Sequence, residues 1–394
     1  MKQTSIFNLI WLLSYISIAS VSAAIITPAL PEIEHQYHLA IGSVEWMVSA
    51  FLIGYVLGQL IYGPLANQFG RLKALRIGLT INLLGIIICL TALFANFYWL
   101  LILGRFISAL GAASGLACTF MLINEWLPET QRKSAMAYAV FSFALGVGIA
   151  VMIGGIITEY WHWQGCFWLL LAHGLVMLWG TQVFSETLVE AKPIHLSRII
   201  TDYSTTLKSP TLVVYSIVVG SCSAISYCFS AAGPQIAQNS LDLSAAEYGY
   251  WNGLNVIGML AGGILAKQLL TRLSENSVIA IGLTGVAIAI SNLFLMWHLG
   301  SQSALWFFLI TASLYLLSSF LFSGGSAIAS NAIADKASSA AMMSFINMGF
   351  ATLAVIVMGY LVHNPLLGFT LILLIIWLLV VGLIFTKKSL INKS

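Results

Sequence analysis

The chain has 394 residues, of which 60% are hydrophobic and only 7% charged, with a net charge of +3. An ordinary soluble domain is about half apolar and about a quarter charged, so this composition excludes a soluble globular protein and indicates one that lives in a membrane. The five cysteines (Cys89, Cys118, Cys166, Cys222 and Cys228) lie mostly inside apolar runs, are odd in number and lack metal-ligand spacing, which speaks against a disulfide framework and against a zinc site.

Twelve apolar runs have the length that about 30 Å of hydrocarbon demands of a helix. They cover 7–30, 46–66, 74–95, 99–123, 134–157, 164–185, 211–235, 246–269, 276–297, 303–330, 338–361 and 366–386. Backbone groups in lipid must be satisfied internally, and these runs lack the alternation of barrel strands, so all are expected to be helices. The first is too long for a cleavable signal and leads through Pro28 and Pro31 into further spans. Between the second and third runs stands GPLANQFGRLKAL, residues 63–75, a tight basic turn. With the N-terminus inside, fifteen of the sixteen cations fall at or beyond cytoplasmic helix ends, from Lys2 and the Arg71–Arg76 cluster to Lys393. The positive-inside bias therefore predicts cytoplasmic termini and a bacterial-type inner membrane. On this reading the positive charge records topology and not nucleic-acid binding.

The segment GQLIYGPLANQ at 58–68 and GMLAGGILAKQ at 258–268 align without a gap at an offset of 200, with six identities in eleven positions. Both occupy the inner end of an even-numbered span, so the chain reads as a parallel duplication of six helices. The expected organisation is an N-terminal half at 1–185, a polar cytoplasmic linker at 186–210 and a C-terminal half at 211–394.

GPLANQFGRLKAL resembles the signature between helices 2 and 3 of the major facilitator superfamily, usually Gly-x-Leu-Ala-Asp-Arg-x-Gly-Arg-Lys. TPALPEI at 27–33, YVLGQLIYGPLA at 55–66, LPETQR at 127–132 and ETL at 186–188 are similar to the Bcr/CflA group of drug-resistance transporters. The resemblance implies a fold of twelve transmembrane helices in two six-helix pseudo-symmetric halves, rocking about a midplane site. It implies gating roles for Gly63, Asn67, Gly70 and Arg71. The usual acid of this latch is Asn67 here, which predicts a weaker latch. The helix 5 pattern Gly-Pro-x-x-Gly-Gly appears as Ala150 to Gly155 without its proline; the resemblance puts helices 5 and 8 side by side and implies gating roles for Gly154 and Gly155.

A charge inside a span is a functional candidate by default. Arg105, in ILGRFISALG, is the one clear case, about two turns into the fourth span. Its alternatives are an anion or proton-relay partner in a central cavity, and an arginine that snorkels outward or clamps helices by bonding their carbonyls. All thirteen acids lie in loops or near helix ends, and Ala24 stands where the resembling group carries its helix 1 aspartate. Glu45, at the outer entrance of the second span, is the nearest replacement. Gln59, Tyr227, Asn255 and Asn347 are candidate polar groups for a substrate, while His173 reads as packing.

No GxxxxGK[ST] phosphate loop and no nucleotide domain accompany the spans, so a secondary transporter is expected, not an enzyme, with neither cofactor nor metal. Its expected partners are a small amphipathic molecule, membrane lipid and protons as coupling ion. The protein is expected to work as a monomer that exports a drug or siderophore-like metabolite. Uptake of a small anionic or zwitterionic nutrient is the alternative, and a transport-dead sensor a more distant one.

Overall fold

The computed structural model describes residues 6–127, 129–188, 204–333 and 336–391, and among them the chain is helical without a strand. Most of the expected linker, 189–203, including Lys192 and Arg198, lies outside the described residues.

The first span is broken into α1 (Ile6–Ser14), α2 (Ser17–Ala24) and α3 (Leu30–Gln36), with a bend of 46° between its two parts. The hydroxyls of Ser14, Ser17 and Ser20 each donate to the carbonyl three residues earlier, an alternative to the helical ladder that bends a helix. Further along, Pro28 has no N–H for the carbonyl of Ala24, and the Thr27 hydroxyl donates to that carbonyl at 2.9 Å instead. The remaining spans of the first unit are α4 (Trp46–Phe69), α5 (Arg71–Ala95), α6 (Tyr98–Trp126), α7 (Glu129–Trp161) and α8 (Gly165–Gly180). Those of the second are α9 (Pro210–Leu241), the broken pair α10 (Ala245–Trp251) and α11 (Gly253–Leu270), α12 (Glu275–His298), α13 (Ala304–Ser330), α14 (Lys336–Gly359) and α15 (Pro365–Ile391). Ten spans meet the length and hydropathy of a membrane helix, the bent first pair makes an eleventh, and Leu145–Trp161 of α7 is a shorter apolar helix. The set is consistent with twelve.

The chain forms two compact units, Met1–His38 with Trp46–Ile194 and Leu39–Glu45 with His195–Ser394. The short connection between the first and second spans thus packs with the second unit, an assignment that differs from the simple division at 185.

Glycines set the packing within each unit. A Cβ at Gly58 would sit 2.6 Å from the Leu110 carbonyl and from the Ala113 methyl, so only glycine lets α4 lie this close to α6. At the same offset of 200, Gly258 lets α11 approach α13 at Ala312, and Gly262 does so at Leu316. The duplicated motif therefore makes the same kind of contact in both units. Gly63 has no atom within 4 Å of such a Cβ, so it is not what seats α4 on its neighbour. In the second unit the core is aromatic: Phe229 is ringed by Tyr248, Phe307, Phe308, Tyr315 and Phe369, with centroids 5.8 to 6.5 Å away. Such ring pairs hold α9, α10, α13 and α15 together.

Candidate functional site

Arg105 is 1% exposed, deep in α6. Its Nη1 donates to the Ser22 carbonyl at 2.6 Å and its Nε to the Met47 carbonyl at 3.2 Å, while the guanidinium lies 4.4 Å from the centroid of the Phe51 ring. Carbonyl dipoles and the ring face both favour the cation without a carboxylate. The break in the first span helps, because backbone near it can turn a carbonyl sideways. Nη2 is buried without a hydrogen-bond partner. Arg105 therefore joins the first, second and fourth spans, while the donors of Nη2 stay unused. Its register is fixed from behind: Ser108 donates to the Arg105 carbonyl and Asn82 of α5 donates to the Ser108 carbonyl.

At the inner end of the same unit the basic turn forms a knot. Gly70, at φ +109°, adopts a backbone that other residues rarely take, and starts α5. Arg71 reaches the Glu125 carboxylate through Nε and Nη2, the latter at 2.6 Å, and donates through Nη1 to the Ala66 carbonyl at the end of α4. Thr187 donates to Glu125 as well. Glu186 accepts from the backbone N–H groups of Arg71, Leu72, Thr187 and Leu188. Burial alone would raise the Glu186 pKa, but these four donors together outweigh it and hold the carboxyl below its ordinary 4.5. Asn67, the position of the missing acid, is half-buried and takes no part in the knot. A carboxylate from the end of the sixth span sits at the α5 N-terminus instead, where the helix dipole favours an anion.

The other candidates separate. Asn255 is 1% exposed; its Nδ2 donates to Asn252 and its Oδ1 accepts from Thr311, so its amide ties α11 to α13. Gln59 Oε1 and Asn347 Oδ1 are buried acceptors without a hydrogen-bond partner. Tyr227 and His173 are half-buried, and Ala24 is buried. Glu45 is 9% exposed and accepts from Gln235 at 3.3 Å. Gly154 rests against the Ile25 carbonyl, and Gly146 meets Ser20 and Ser17, so within the first unit this small-residue face of α7 packs on the first span. The chain bends at Pro28, and that bend needs a flat neighbour. Gly155 is buried. Among the described residues no group of histidine, cysteine and acidic side chains is arranged to hold a metal.

Two residues that the sequence does not single out emerge here. Glu186 is visible there only as part of the ETL motif, and Gln235 carries no signal beyond a polar side chain beside Pro234 in a span.

Residues 12–226 match the family model of the Major Facilitator Superfamily. Multidrug resistance protein D of Escherichia coli (strain K12) is 23% identical over 317 residues, covering 78% of each chain. A bicyclomycin resistance protein homolog of Haemophilus influenzae is 23% identical over 279 residues, covering 68% of this chain and 67% of that one. The crystal structure of a D-xylose-proton symporter superposes with a TM-score of 0.75 at 13% identity, over 95% of this chain and 97% of that one, a likeness of fold alone. With more than half its length inside the family match, a helical fold of the same kind and relatives along most of the chain, the protein belongs to the Major Facilitator Superfamily: it is an integral membrane transporter of small molecules, similar to the Bcr/CflA type, and not an enzyme.

Proposed function

We propose that this protein exports a small amphipathic compound by alternating access, as a monomer in a bacterial inner membrane with both termini in the cytoplasm, and draws on protons for the work. One observation carries the reading: the similarity to a multidrug resistance protein extends over 78% of both chains, through both units. The free Nη2 of Arg105 and the buried acceptors of Gln59 and Asn347 support a role in recognition, since a polar group buried without a partner gains most from a ligand that pairs with it.

The test is accumulation of ethidium, together with a neutral and an anionic amphiphile, in a bacterial strain stripped of its own exporters. Expression of the chain is expected to lower the cell content of at least one of them. Unchanged content across the panel removes the export reading. Raised content of the anionic compound alone favours the second reading, uptake of a small anion, for which the buried guanidinium of Arg105 is the supporting feature.

A further inference from the structure

The segment LAIGSVE, residues 39–45, is a strap. Its chain begins where the first span ends and runs into α4, yet it packs as part of the second unit. A turn closes within it, Ser43 N–H donating to the Ala40 carbonyl at 3.0 Å with Gly42 at φ +76°, the position of a type II turn that needs glycine. Among its contacts, three bear on how it is seated. A Cβ on Gly42 would lie 2.6 Å from the Tyr360 ring, so the turn is pressed flat on that ring. Gly359 leaves room for Glu45, whose Cγ and Cδ would be 3.1 Å from a Cβ there. Gln235 of α9 donates to Glu45 Oε1 at 3.3 Å and to its own Ala231 carbonyl at 3.2 Å from the same nitrogen, so both hydrogens of the amide are engaged and its orientation is fixed. Val44 is 2% exposed and Gln235 7%.

We propose that the strap leaves this seat in each transport cycle, and that Gln235 is the residue that positions Glu45 within it. The proposal rests on the alternating-access reading above. A strap this short gives little slack: its two ends continue into spans of the first unit, while its residues pack with the second. Movement of one unit against the other therefore has to unseat the strap. The Gln235 amide and the two glycine contacts are small, local interactions that can break and re-form without rearranging a span.

Val44→Cys supplies the reporter, in the full chain reconstituted in proteoliposomes and labelled with a maleimide, with the unsubstituted chain as blank for the native cysteines. Labelling is expected to be slow at rest and to speed up while ethidium is being transported. Gln235→Leu is expected to speed resting labelling by roughly tenfold, the consequence of losing one hydrogen bond. Gln235→Glu, which sets two carboxylates face to face, should do the same, and the exchange Glu45→Gln with Gln235→Glu should restore slow labelling. Restoration distinguishes pairing from mere packing at position 235. Labelling that stays constant during measured ethidium transport overturns the release, and a resting rate left unchanged by Gln235→Leu overturns the positioning role. If the parent chain moves no ethidium in either direction, the transport reading for that probe has failed, and the resting comparison of the Gln235 variants still decides whether the strap is seated as proposed.

Discussion

Arg105 Nη1 and the carbonyl of Ser22 lie 2.6 Å apart, joined across 83 residues of sequence. A buried guanidinium that donates to two carbonyls of different spans is structural whatever else it does. Arg105→Ala leaves both carbonyls without this donor in an apolar surrounding, at about 1 to 3 kcal/mol for each such group. The thermal midpoint of the purified protein is expected to fall by a few degrees. Arg105→Lys keeps the charge but loses the planar fork, and a single ammonium cannot reproduce both bonds and the stacking on Phe51. Its midpoint should lie between those of the parent and Arg105→Ala. Transport normalised to folded protein then separates the roles: a pure clamp leaves it intact in both variants, whereas recognition through Nη2 lowers it in both.

The carboxylate at the start of α5 comes from Glu186 and not from position 67. Glu186→Ala is therefore expected to loosen the start of α5 and to lower the thermal midpoint more than any change at Asn67. Asn67→Asp brings a second carboxylate toward an N-terminus already occupied by one, so it should give no gain in stability and little change in the accessibility of cysteines along α4. A clear gain from Asn67→Asp would show that the missing acid at 67 matters after all.

The knot also has a pH signature. Glu186 in the folded protein titrates below its ordinary value, so the unfolded chain takes up the proton first on acidification. Its contribution is complete above the ordinary value of 4.5 and is lost as the pH falls through the lower, folded value. The difference in thermal midpoint between the parent and Glu186→Gln should be constant near neutral pH and shrink in acid. A difference that grows in acid would contradict the assignment.

Much of the fold is legible in the sequence, and the parts that are not share a cause. Spans dominated by continuous apolar runs are close to expectation: the ninth is expected at 276–297 and runs Glu275–His298, the third is expected at 74–95 and runs Arg71–Ala95. Length and hydropathy fix these because lipid leaves the backbone no other choice. Arg105 stands out because a charge at that depth demands partners, yet the partners, Ser22 and Met47, are backbone carbonyls and have no sequence signature. The same holds for Glu186, 115 residues from the Arg71 N–H it accepts from. Gly146 and Gly154 announce in the sequence only that something approaches α7 closely, and that the first span does so has no signature in them.

Topology is directly measurable. Cysteines at His35 and Gln302 should react with an impermeant maleimide from outside, and cysteines at Lys73 and Arg272 should not. All four positions are exposed in the structure, so a negative result reflects the membrane side and not burial. Lys73 is a better choice than Gly70, whose positive φ strains any other residue. Reaction at Arg272 from outside would refute the parallel duplication.

The last prediction concerns coupling. With Ala24 on the first span, no carboxylate among the described residues is buried in the middle of a span, and Glu45 is buried at the start of one. Transport is therefore expected to depend less steeply on pH than in relatives that carry the helix 1 aspartate, and what dependence there is should run through Glu45. Glu45→Gln keeps the shape of the side chain and a hydrogen-bonding group facing Gln235 while removing the ionisable proton. Transport by this variant, measured as ethidium flux into or out of proteoliposomes from about pH 5.5 to about pH 8, should be nearly flat, because a glutamine cannot titrate in that range. Ala24→Asp tests the converse: it places an ionisable carboxyl on the first span, so this substitution should add a pH dependence that the parent lacks. A steep dependence that survives in Glu45→Gln would exclude Glu45 as the coupling group and turn attention to His173, the one histidine in the middle of a span, whose titration would then be tested with His173→Gln.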